Sequence, residues 1–242
     1  MNGFGMTDRG KQRKENQDCF AMRMSDDRRS IVAVVCDGMG GARAGNVASQ
    51  LAAETFISGV DLLGDTPAQQ MKEILVKAVT ETNRVVFDKA MSSSEYSGMG
   101  TTLVGAVVNE DTALFINVGD SRAYHISGTD IDRLTRDHSV VEDMVLRGDL
   151  TPEQARRHPN KNLITKAIGT ESEVLGDIYE VSLKDGDYLL LCSDGLTNLI
   201  GDQELLSQCR KGEGLDDICQ ALVEMALEKG APDNVTVVLL EI

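Results

Sequence analysis

Apolar residues recur at helical spacing in three long stretches of this 242-residue chain and gather into short continuous runs elsewhere. Residues 44–57 place Val47, Leu51, Ala52 and Phe56 on one face, and residues 67–91 do the same with Met71, Ile74, Leu75, Ala78, Val79 and Val86. Residues 215–229 carry Ile218, Leu222, Met225 and Ala226, and Gly230 is the expected stop. Apolar positions at i, i+3, i+4 and i+7 give a helix one buried stripe, so all three are predicted to lie on a core. Thr66 is the expected N-cap of the second helix, with Pro67 at its first helical position. The continuous runs, at 31–36, 101–109, 112–118, 122–126, 188–192 and 234–240, are predicted strands. Glu110-Asp111 joins two of them as a tight hairpin, and 122–126 follows the Gly119-Asp120 turn so closely that a meander is expected. Antiparallel pairing is therefore favoured over a doubly wound parallel sheet. Sheets covered by long amphipathic helices make a layered α+β domain.

The pattern changes between Asp137 and Gly169. A short helix at 140–147 ends at Gly148, and Thr151-Pro152-Glu153-Gln154 carries a capping-box signal for a second. The stretch is polar, made of short pieces, and lies between two core strands. Residues 139–165 are expected to form a flap. There is no internal repeat, low-complexity tract or linker, so residues 1–242 are expected to form a single domain.

Composition narrows the function. With 41% hydrophobic and 26% charged residues the chain is an ordinary globular one. A net charge of -15 argues against nucleic-acid binding, which needs basic patches. No apolar run approaches the roughly 18 residues of a membrane span, and the N-terminus lacks a signal-peptide pattern. A cytoplasmic location away from membranes is expected. The five cysteines are odd in number and without CxxC spacing; Cys36 and Cys192 fall inside strands and read as buried hydrophobes. Three scattered histidines are too few for a histidine-based zinc site.

Four aspartates, Asp37, Asp120, Asp194 and Asp233, each sit where an apolar strand meets a glycine-rich or polar turn. A buried strand is a rigid arm, and a carboxylate at its tip has a fixed position. Converging tips would form an all-oxygen cluster, which suits hard divalent cations such as Mg2+ or Mn2+. That points to metal-assisted chemistry on a phosphate ester.

Eight motifs, in order along the chain, carry a resemblance. They are Arg13-Lys14-Glu15-Asn16-Gln17-Asp18, Asp37-Gly38-Met39-Gly40-Gly41, Gly100-Thr101-Thr102, Val118-Gly119-Asp120-Ser121-Arg122-Ala123-Tyr124, Asp137-His138-Ser139, Leu163-Ile164-Thr165-Lys166-Ala167-Ile168-Gly169, Ser193-Asp194-Gly195-Leu196 and Asp233-Asn234-Val235-Thr236. Together they resemble the metal-dependent serine/threonine protein phosphatases of type 2C, the PPM family, in their bacterial branch. The resemblance implies an α-β-β-α sandwich of two mainly antiparallel sheets flanked by helices. It implies hydrolysis of phosphoserine and phosphothreonine in proteins by a metal-activated water, with phosphorylated proteins and a cognate Ser/Thr kinase as partners, and a monomer. It implies two core Mn2+ or Mg2+ ions, with Asp37 bridging them and the Gly38 carbonyl as a further ligand. Asp194 and Asp233 would hold one ion, Asp18 would act mainly through metal-bound water, and Asp120 with Asp194 would hold a third, weaker ion. Arg13 matches the phosphate-binding arginine, whose planar fork grips two oxygens at once.

One position departs from the pattern. Many eukaryotic relatives carry a histidine where this chain has Met39, which cannot donate a proton. His158, in the flap, is the candidate acid or substrate contact from inside the chain. Two other readings of the same residues are a noncatalytic regulatory module of the same fold and a hydrolase of small phosphoesters.

Overall fold

The strand Ile31–Met39 (β3) is buried along both faces, and each face enters a different core. Successive strand side chains point to opposite sides. Val32, Val34 and Cys36 pack with helices, while Ile31, Ala33 and Val35 pack between two sheets. The next residue on the inter-sheet face is Asp37, where that core ends.

The computed structural model describes residues 1–40, 44–60, 67–109, 111–212 and 214–242. Gly41, Thr66 and Glu110 lie outside them, and with them the last glycine of the Asp37 motif, the expected N-cap and half of the expected hairpin turn. One sheet runs β2 (Asp18–Met24), β3, β5 (Leu103–Asn109), β6 (Thr112–Val118) and β9 (Asp177–Ser182), with β4 (Gly100–Thr101) beside β3. The other runs β1 (Asn2–Asp8), β11 (Val235–Glu241), β10 (Tyr188–Cys192), β7 (Arg122–Ser127) and β8 (Asp130–Arg133). Every pairing among these strands is antiparallel. Helices α1 (Ala44–Gly59) and α2 (Ala68–Met91) cover the first sheet, through Ala48, Ala52, Phe56, Leu75 and Val86. Helices α6 (Asp202–Cys209) and α7 (Leu215–Glu228) cover the second, through Leu205, Ile218 and Leu222. The result is the expected α-β-β-α sandwich, with Phe115, Leu189, Leu191 and Val238 filling its middle. Among the described residues no helix is long and apolar enough to cross a membrane.

The meander expected at 122–126 is not formed. β6 and β7 lie in different sheets, so residues 119–121 carry the chain from one to the other. Gly119 adopts φ +111°, and an added Cβ would stand 2.6 Å from Thr102 Cγ2, so the crossing needs glycine. The run 101–109 is also interrupted, at Thr102, whose N–H donates to the Asp37 carbonyl at 2.9 Å. Four strands have no counterpart among the expected ones: β1, β2, β8 and β9. β1, β8 and β9 are sheet edges, and β2 becomes one on losing any neighbour beyond β3. Half-buried edge strands need no continuous apolar run.

The flap segment carries α3 (Val140–Leu146) and α4 (Pro152–Arg156). Thr151 and Gln154 form the expected capping box. The base of the segment is pinned where Val140 N–H donates to Leu163 O at 2.9 Å and Thr165 N–H to His138 O at 2.8 Å.

Candidate metal centre

Strand ends from both sheets meet at one end of the sandwich. Asp37 and Asp18 stand directly opposite each other across β3 and β2. Gly38 N–H donates to Gln17 O at 3.0 Å, so the next pair along, Asp18 and Asp37, is of the non-hydrogen-bonded kind. Such pairs bring side chains closest, with Cα atoms about 4.5 Å apart. Asp194 opens α5 (Asp194–Thr197), just beyond β10, and Asp233 lies just before β11. The sequence read Asp194 as a turn residue; it is the first residue of a short helix. Gly195 lets these two ends touch, since an added Cβ would stand 1.8 Å from Asn234 O. Asp120, in the crossing after β6, is nine-tenths buried.

Asp37, Asp120, Asp194 and Asp233 line one cleft of about 230 Å³, with Gly38, Met39 and Arg13. Asp18 lies behind Asp37 with only 7% of its surface exposed. Arg13 Nη2 donates to Asp233 Oδ2 at 2.7 Å, while Asp233 Oδ1 accepts from Asn234 N–H at 2.9 Å. The Asn198 amide donates to Asp194 Oδ2 at 2.9 Å. Asp194 Oδ1 and Asp18 Oδ1 are buried with no hydrogen-bond partner. Asp37 is held by its backbone: its N–H donates to Thr102 Oγ1 and its carbonyl accepts from the Thr101 hydroxyl, both at 2.9 Å.

These carboxylates are costly neighbours. Burial pushes the Asp18 carboxyl up to about 7, with Asp194 and Asp233 adding to the rise against the pull of two hydroxyls. Burial and Asp233 bring Asp194 to about 6. Asp37 and Asp120 are raised well above the ordinary carboxylate range, again by burial first and by neighbouring aspartates second. Among the described residues no three such groups are already gathered at ligand distance. They surround a shared space, the spacing that mutual repulsion favours. An all-oxygen donor set with two orphaned buried oxygens fits hard divalent cations.

The chain matches the family model for protein phosphatase 2C over residues 7–238. That is nearly its whole length, in register with the eight motifs. The chain belongs to the protein phosphatase 2C family. It is 37% identical to the serine/threonine phosphatase stp of Listeria innocua, over 100% of this chain and 96% of the relative. Among solved structures it is similar to serine/threonine phosphatase Stp1 from Staphylococcus aureus, at TM-score 0.92 and 37% identity, over 99% of this chain and 94% of that one. It is also similar to the catalytic domain of the phosphatase PstP in complex with two manganese ions, at TM-score 0.86 and 31% identity, over 99% and 97% of the two chains.

Within this protein phosphatase 2C the flap residues that reach the cleft are Asn162 and Ile164. His158 does not. It lines a separate cavity of about 440 Å³ with Leu150, Arg157 and Pro159, and its Nδ1 accepts from Asn160 N–H at 3.2 Å. Asp120 and Asp194 also border a second cavity of about 280 Å³ beneath α3 and α4, which brings Asp120 to the flap as expected. Arg122 is structural, as the sequence suggested, donating to Asp137 at 2.7 Å. Asn234 orients the loop that carries Arg13: its Oδ1 accepts from Gln17 N–H at 2.8 Å, and its amide donates to Arg9 O and Glu15 O at 2.8 and 3.0 Å. Asn162, Thr101 and Thr102 were not singled out for any role. The two threonines sit in listed motifs, but a threonine in a strand reads first as a strand former.

Proposed function

We propose that this protein phosphatase 2C chain hydrolyses phosphoserine and phosphothreonine in proteins, as a bacterial signalling phosphatase opposing a Ser/Thr kinase. The observation that carries the reading is the meeting of Asp37, Asp194, Asp233 and Arg13 on one cleft. Asp37, the Gly38 carbonyl, Asp194 and Asp233 would hold two Mn2+ or Mg2+ ions, and Asp120 with Asp194 a third, weaker one. Bound there, the cations supply an activated water and offset charge on the phosphoryl oxygens. Asp37 is suited to reach both ions because β3 and the two threonine contacts fix its backbone. Arg13 commits Nη2 to Asp233 and presents the rest of its fork to a phosphoryl group entering the cleft. No histidine lines the cleft among the described residues, and Met39 stands at its wall. The leaving group is therefore not protonated by a histidine of this chain, and His158 keeps only a role in contacting protein substrate.

The rim favours a protein substrate over a metabolite. Arg13 is 53% exposed and Asp233 26%, whereas a small-ligand site encloses its ligand. The noncatalytic reading needs loss of a core carboxylate, and Asp37, Asp194 and Asp233 all face the cleft. We take residues 1–242 as one catalytic unit with 139–165 as its flap, a cytoplasmic monomer. Phosphate release should be measured on phosphothreonine peptides, free phosphoserine and an aryl phosphate, each with Mn2+. Turnover of the peptides and the aryl phosphate is expected, with free phosphoserine far slower. Preference for free phosphoserine over every peptide would overturn the protein-substrate reading.

A further inference from the structure

Behind the cleft a line of hydroxyls ends on Asp18, and its direction is fixed by chemistry. The Asn16 side-chain oxygen accepts from Asp18 N–H at 3.2 Å, which sets the amide so that Nδ2 donates to Thr7 Oγ1 at 2.8 Å. An amide NH2 only donates, so Thr7 accepts there and turns its own proton to Thr236 Oγ1, 2.7 Å away. Thr236 has one proton, and it goes to Asp18 Oδ2 at 2.7 Å. Ser193 accepts from Thr236 N–H at 3.0 Å and gives its proton to the same Asp18 Oδ2, also at 2.7 Å. Thr236 and Ser193 are fully buried. Asp18 Oδ2 thus takes two hydroxyl protons, while Oδ1, equally buried, has no partner.

We infer that Thr236 and Ser193 are positioning residues for the metal centre: by saturating Oδ2 they fix the rotation of the Asp18 carboxylate and leave Oδ1 as its one face for a cation and its water. The inference rests on the metal-dependent reading of the cleft. It gives the serine of Ser193-Asp194 and the threonine of Asp233-Asn234-Val235-Thr236 a task that neither strand formation nor direct ligation explains. Two strands, β10 and β11, deliver the donors and a third, β2, the acceptor, so the geometry is set by the sandwich itself.

The test is Mn2+ binding to purified protein by titration calorimetry, with no substrate present. Thr236→Val keeps shape and removes the donor; it should weaken Mn2+ binding by about tenfold or more, the usual cost of losing a partner of a metal ligand. Thr236→Ser restores a hydroxyl and should return affinity to within about twofold, which a packing role for the threonine methyl would not do. Should Thr236→Val fail to fold, Ser193→Ala removes the other donor and should weaken binding likewise. Wild-type affinity in Thr236→Val, or equal losses in the valine and serine variants, would overturn the inference. Absence of Mn2+ binding by the unaltered protein would instead remove the metal reading of the cleft, and the inference with it.

Discussion

Arg13 holds two jobs that compete for one guanidinium. Its bond to Asp233 raises its own pKa, with the fields of Asp37 and Asp194 adding to the effect. Both partners are well exposed, so the pair contributes little to stability. Its value lies in placing a planar fork over the cleft. Arg13→Ala should therefore raise KM more than it lowers kcat, and cost about 10- to 100-fold in kcat/KM, the worth of charged hydrogen bonds to a phosphate. Arg13→Lys should recover only part of this, because the bidentate geometry is lost. Steady-state kinetics on a phosphopeptide decides the matter, and a kcat collapse at unchanged KM would assign Arg13 to the transition state alone. At this scale the cleft aspartates were legible, because a carboxylate between an apolar run and a glycine has few structural explanations. The hydroxyls of Thr102, Ser193 and Thr236 were not, since partners that face inward from a strand carry no periodic signal. His158 looked catalytic only because it was the available histidine; half-buried on its own cavity wall, it is set apart from the aspartates.

Between elements, the contact of α5 with the start of β11 decides whether two strand tips become one site. Gly195 against Asn234 O is its tightest point. A methyl group there forces backbone from backbone, and overpacking of this kind costs typically 1–3 kcal/mol. Gly195→Ala should lower Tm and weaken Mn2+ binding together, by spreading Asp194 from Asp233. Thermal melts with and without Mn2+ measure both, and wild-type values for each would show that the contact does not set the site. The long helices were readable because 14 to 24 residues repeat the 3.6 period many times. α6 has only eight residues and no sustained stripe, and β8, Asp130–Arg133, alternates charges with two apolar or aliphatic positions at an edge. The crossing after β6 was missed because adjacent strands separated by a short turn usually pair. What breaks the rule is Gly119, whose N–H donates to buried His138 Nδ1 at 3.1 Å while its carbonyl accepts from His138 N–H at 2.9 Å.

For the whole molecule, the carboxylate cluster couples stability to pH and to metal. Asp18, Asp37, Asp120 and Asp194 all have raised values in the fold. The metal-free fold therefore holds protons that the unfolded chain has released, so its stability falls as pH rises through the folded values. His138, lowered by burial, works the other way, but chiefly below its ordinary value of 6.5. Between pH 6.5 and 8 the metal-free protein should lose Tm, and Mn2+ should restore more at pH 8 than at 6.5, because ligation needs ionised carboxylates. A metal-free Tm that rises over this range would contradict the raised values. The central claim, that the cleft is a metal centre which cleaves phosphoproteins, meets its most direct test in one assay. Phosphate release from a phosphothreonine peptide should be measured after chelator treatment, after return of Mn2+, and in Asp37→Asn checked for its fold by circular dichroism. The account predicts no release in chelator, recovery with Mn2+, and none in folded Asp37→Asn under either condition; full release from the chelator-treated protein, or from Asp37→Asn, would contradict it.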